Sequence, residues 1–161
     1  MLSAYSLDAF NMELGIRIPE LKMMIERAYQ LDPNFNNAAI NEFFVIFYSS
    51  LPESLGGSRA LAHEHFEKAV AKTNGLSVSP FVSYARFICI PDQDYETFRA
   101  MLTSALAINP DDDPPNRLMN ILSLQKARYL MDNAGLYFIS FGADWDDWPE
   151  WDDDLEDWPD W

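Results

Sequence analysis

Three times in this chain an alanine stands five residues ahead of a residue that can end a helix: Ala28 before Pro33, Ala69 before Asn74 and Ala105 before Pro110. The alanines lie 41 and 36 residues apart, and self-similarity at that period marks stacked repeats. A unit of this length holds one helix pair, too thin to bury its own apolar face, so neighbouring units must share a continuous core. A small residue near the end of each second helix lets the next helix approach closely. The expected fold class is therefore all-α, with six to seven helices in stacked hairpins. No stretch keeps an apolar/polar alternation, and the Asn-Gly pair at Asn74–Gly75 closes a helical pattern instead of joining two strands.

The helices have legible starts and stops. In "IPELKMMIERAYQLDP", Pro19 suits a first turn and Pro33 stands just past the end, while Leu21, Met24, Ile25, Ala28 and Leu31 recur on one face. "NFNNAAINEFFVIFYSSLP" can be capped by Asn34 or Asn36. Its centre, "FFVIFY", is apolar all round, which predicts a helix covered on more than one side; a central strand is the competing reading. Pro52, Gly56 and Gly57 then break the chain, and Ser58 is expected to cap a helix whose face is Leu61, His65, Phe66 and Ala69. Pro91 is expected to stop "SPFVSYARFICI", and Asp92 to cap the helix that buries Phe98, Met101, Leu102, Ala105 and Ile108. A last helix opens on "DDDPPNRL".

The charge narrows the partners. The 26 acids against 11 bases give a net charge of −15, which repels phosphate backbones and anionic lipid surfaces, so nucleic acid is not an expected partner. Much of that excess sits at one end. Residues 143–161 hold ten acids, no base and all five tryptophans, and are read as a tail distinct from the helical domain of residues 1–142. The tail is expected to be disordered or partner-docked, and Trp148, Trp151, Trp158 and Trp161 are its candidate anchors. The start "MLSAYSLDAFNMELG" lacks the basic residues and apolar run of a signal peptide, and no lipobox-like cysteine lies near it. No apolar run is long enough to span a bilayer.

Little in the chain points to catalysis. There is no Gly-rich phosphate loop, nucleophile elbow or H-E-x-x-H motif. Cys89, the single cysteine, lies between apolar neighbours and reads as a buried, inert thiol. His63 and His65 are two residues apart, about 200° around a helix, so they diverge; His63 with Glu67 offers two ligands without a third. No catalytic residue, metal or cofactor is expected. Helical repeats bind through the face made by the first helix of each pair. Asn41, Phe44, Tyr48, Phe81 and Tyr84 are the candidates for such a ligand or partner groove. Core packing is the competing account of the phenylalanines.

The ordered set "IERAYQLDPNFNNAA", "LPESLGGSRALAHEHFEKAV" and "FVSYARFICIPDQDYETFRAMLTSALAINPDDDPPNRLMNILSLQKARYLM" resembles the T component of TRAP transporters over roughly residues 14 to 138. The resemblance implies a tetratricopeptide-like helical stack and a non-enzymatic, periplasmic adaptor. It implies docking to an extracytoplasmic substrate-binding protein, assistance in ligand uptake, and a homo-oligomer, a trimer around a central pore. The acidic tail has no counterpart in that pattern. Two alternatives remain on the residues alone: a carrier of a small apolar ligand, suggested by the aromatic content, and a cytoplasmic self-assembling scaffold, suggested by the missing export signal.

Overall fold

The computed structural model describes residues 16–139. The acidic tail and its candidate anchors Trp148, Trp151, Trp158 and Trp161 lie outside the described residues. Within them the chain is all-α, with no strand. Helix α1 spans Ile18–Leu31, α2 Phe35–Ser50 and α3 Arg59–Lys72. Helix α4 runs as three continuous pieces, Ser79–Tyr84, a π-helical Ala85–Cys89, and Ile90–Asp92. Helix α5 spans Tyr95–Leu106 and α6 Arg117–Asp132.

Consecutive helices pack on one another. The most extensive contact is between α2 and α3; α4 then packs on α2 and α3 on one side and on α5 and α6 on the other. The core respects this order. One cluster gathers Ile18, Ile40, Phe44, Val45, Phe47, Tyr48, Ala62 and Phe66 from α1–α3, and a second gathers Val82, Ala85, Cys89, Phe98, Leu102, Ala105, Leu124 and Ala127 from α4–α6. Phe81, Tyr84 and Met101 pack against both clusters and form the seam. Two of the recurring alanines, Ala69 and Ala105, are fully buried, as close helix approach requires. Ala28, near the end of α1, is half-buried.

The local signals hold where both partners are near in sequence. Ser58 Oγ accepts the Leu61 amide at 3.3 Å, the expected cap. Asn74 and Gly75 both take positive φ, at 51° and 71°, and close α3. The "FFVIFY" segment is helical, with Phe44, Val45, Phe47 and Tyr48 buried.

Four local expectations are corrected. Asn34 stands at the N-cap position of α2 but its side chain makes no capping hydrogen bond, and Asn36 lies inside the helix. Instead Asp32 Oδ1 accepts the Asn34 amide, and Asn36, Asn37 and Ala38 adopt left-handed φ of 47°, 54° and 66°. Asparagine tolerates that region; for Ala38 it costs roughly 1–2 kcal/mol. Pro91 does not stop α4, because the π turn before it makes room for the ring. Asp92 pairs with Arg59 at 2.6 Å instead of capping α5, and Asp94 is the cap, accepting the Thr97 amide at 3.0 Å. On α1, Met24 and Leu31 are 70% exposed, since among the described residues α1 packs chiefly on α2, with α3 reaching it at Tyr29.

Candidate functional site

Helix α3 begins with Arg59, and this side chain organises the seam. Its Nη1 donates to the Ser49 carbonyl at 2.9 Å and to the Phe87 carbonyl at 3.4 Å, while Nη2 donates to Asp92 at 2.6 Å. The Phe87 carbonyl stands four residues before Pro91, which has no N–H to offer it. One guanidinium thus ties the end of α2 to the π-helical part of α4 and satisfies an acceptor that the proline leaves open.

Beside it lies a cleft of about 360 Å³ lined by Arg59, Ala60, His63, Tyr84, Cys89 and Asp92, among others. His63 is engaged through both ring nitrogens, Nδ1 lying 3.1 Å from the Tyr84 hydroxyl and Nε2 3.3 Å from Glu67. Among the described residues no three His, Cys, Asp or Glu side chains are grouped to hold a metal ion. Burial pushes the Tyr84 hydroxyl above its ordinary pKa, with Cys89, Asp94 and Asp92 adding to the rise. Cys89 is 1% exposed. Burial, reinforced by Asp94 and Asp92, pushes its thiol up to about 12. A thiol this protonated is a poor nucleophile at neutral pH.

The groove residues expected from the sequence fall in two groups. Asn41, Phe44 and Tyr48 are buried and meet around His65. The His65 ring lies 4.5 Å from Phe44, and 5.8 Å from both Tyr48 and Tyr29. Asn41 Oδ1 is 3.0 Å from His65 Nδ1, and Asn41 Nδ2 has no partner among the described residues. Burial holds the His65 pKa below its ordinary value; Lys68 and Lys72 act in the same direction and Glu64 against it. Phe81 and Tyr84 meet instead on Phe66, at 5.5 and 4.6 Å between ring centroids. Tyr84 alone of the five lines the open cleft. Periodicity and motif did not single out Arg59, Ala60 or His63 as groove residues, because the contacts that build the cleft reach 10 to 33 residues along the chain. The proline within α4 was the available signal.

A curated relative, an uncharacterized protein of Treponema pallidum (strain Nichols), is 32% identical over 138 residues, covering 86% of this chain and 43% of the relative. The chain thus spans less than half the length of that relative. No helix among the described residues is long and apolar enough to cross a membrane. The model of the TRAP transporter T-component family matches residues 1–138, the stretch that holds the helical stack and its seam cleft, and the chain belongs to that family.

Proposed function

We propose that the chain is a non-enzymatic adaptor of a TRAP transporter, a tetratricopeptide-like stack that docks an extracytoplasmic substrate-binding protein in the periplasm and assists ligand uptake. The observation that supports this reading is the family match over the same residues that build the stack. The docking surface is the seam cleft. Tyr84 presents its hydroxyl there, and Phe81 packs behind on Phe66. Asn41, Phe44 and Tyr48 act indirectly, by keeping the α2–α3 pair in shape. Exposed apolar side chains on the outer helices support self-association into a homo-oligomer: Met23, Met24 and Leu31 on α1, and Leu118, Met119 and Leu122 on α6.

The test uses the full chain and the purified substrate-binding protein of the same transport system, with binding measured by calorimetry. Ala60 is exposed and lines the cleft, so Ala60→Trp fills it without entering the core. Loss of binding with an unchanged thermal midpoint is expected. Wild-type binding by Ala60→Trp would remove the cleft from the reading, and no binding by the unaltered chain would remove the adaptor role.

A further inference from the structure

A second cleft, of about 460 Å³, opens between α4 and α6 and is lined by Val82, Arg86, Ile90, Lys126, Tyr129 and Tyr137, with Leu130 at its base. Its size is ordinary for a binding cleft, about 300–1,000 Å³. Its charge is not ordinary for this chain, which carries 26 acids and 11 bases. Among the described residues neither Arg86 nor Lys126 has a carboxylate partner, although five other lysines and arginines do. Both cations are exposed, at the rim of an aromatic and aliphatic wall. The Arg86 guanidinium lies 5.3 Å from the Phe87 ring, a contact that leaves its donors free for an anion.

The chain leaves the described body beside this cleft, and its exit is held in place. Beyond α6, Phe138 is buried against Phe98 and Tyr95, with ring centroids at 4.9 and 5.4 Å. Gln93 clamps the backbone on either side: Nε2 donates to the Tyr137 carbonyl at 2.9 Å, and Oε1 accepts the Ile139 amide at 3.0 Å. The same Nε2 also donates to the carbonyl of Ile90, a residue of the cleft wall, at 2.8 Å. The segment beyond Ile139 therefore starts from a point fixed next to Tyr137 and Ile90.

That segment reads "SFGADWDDWPEWDDDLEDWPDW". Trp145 is six residues past Ile139, a reach of up to about 20 Å. Between Asp144 and Trp151 the segment offers three indoles and four carboxylates. Indoles suit a wall of tyrosines and the faces of cations, and carboxylates suit Arg86 and Lys126. We propose that the α4–α6 cleft is the docking site of the chain's own segment 143–151, with Trp145, Trp148 and Trp151 against Tyr129 and Tyr137 and the acids on Arg86 and Lys126.

All five tryptophans lie in the last 17 residues, three of them in segment 143–151, so tryptophan fluorescence of the full chain reports residues 145–161 alone. The expected result is emission to the blue of the same chain in denaturant, with slowed acrylamide quenching, independent of protein concentration. Arg86→Gln and Lys126→Gln change exposed side chains and are expected to preserve the circular dichroism spectrum. Each is expected to lower the ratio of docked to free segment by about two- to fivefold, and added salt acts in the same direction. Lys22→Gln, on α1, leaves the emission unchanged. Emission at the denatured position in the folded chain overturns the proposal, as does docking indifferent to both cleft substitutions. A blue shift that appears only as concentration rises places the segment on a second copy and overturns it equally.

Discussion

Asn120 is the most informative single perturbation of the stack. It is 2% exposed on α6 and reaches the connection between α3 and α4. Its Nδ2 donates to the Leu76 carbonyl at 2.9 Å, and its Oδ1 accepts the Val78 amide at 3.1 Å. The side chain acts as a backbone surrogate for a segment that has neither helix nor sheet to satisfy it. Asn120→Asp keeps the shape and the acceptor but turns the donor into an oxygen facing the Leu76 carbonyl. Ionised, that oxygen is repelled and desolvated, so the introduced carboxyl titrates above the ordinary Asp value of about 3.9. A rise of about two units corresponds to about 2.7 kcal/mol lost at pH 7. The sign comes from proton binding: the folded variant holds its proton more tightly than the unfolded one. The penalty therefore grows as pH rises from about 4 and levels off above the folded pKa. Below it, the protonated carboxyl can donate to Leu76 and recover part of the loss. Urea denaturation of variant and parent at pH 7 and pH 5 reads this directly, and titrations common to both chains cancel in the difference. An unchanged midpoint at pH 7, or a penalty equal at both pH values, would refute the bridging role.

Gly57→Ala would place a Cβ 1.8 Å from the Leu51 carbonyl oxygen. Since backbone cannot rotate away, a loss of about 1–3 kcal/mol or more is expected in the urea midpoint. Gly56→Ala meets nothing within 4 Å and has only its φ of +91° to overcome, so it is expected to cost less in the same assay. His65 has a folded pKa below its ordinary 6.5. The parent chain should lose stability as pH falls through that value toward the folded pKa, and the gap between parent and His65→Gln should narrow over the same interval in paired denaturations. Ala69→Trp should destabilise by roughly 1–3 kcal/mol through overpacking at a fully buried helix contact; an unshifted thermal midpoint would show that the contact yields.

Much of the helical order is local chemistry, and local chemistry is legible in one dimension. Ser58 caps a helix because its hydroxyl reaches an amide three residues on, Asn74 and Gly75 stop one because they tolerate positive φ, and Ala69 and Ala105 mark close approaches because they are small. Aromatic weight at Phe44, Tyr48, Phe81 and Tyr84 is legible too, as apolar surface needing cover. Which neighbour covers it is a different matter. Phe44 and Tyr48 close over His65 while Tyr84 opens onto a cleft, and only the placement of α3 against α4 separates those fates. Pro91 reads as a helix stop because its missing N–H has a local cost; Arg59, 28 residues from Phe87, supplies the donor that offsets it. Asp92 reads as a cap but is the partner of that same arginine, leaving Asp94 to cap. Gln93 and Asn120 carry no sequence signal for their clamping roles, since the backbone groups they clamp across the stack are 42 to 46 residues away. Periodicity and capping act over one or two turns and so determined the helices; polar clamps and open faces depend on which helices meet, and only the folded stack brings those residues together.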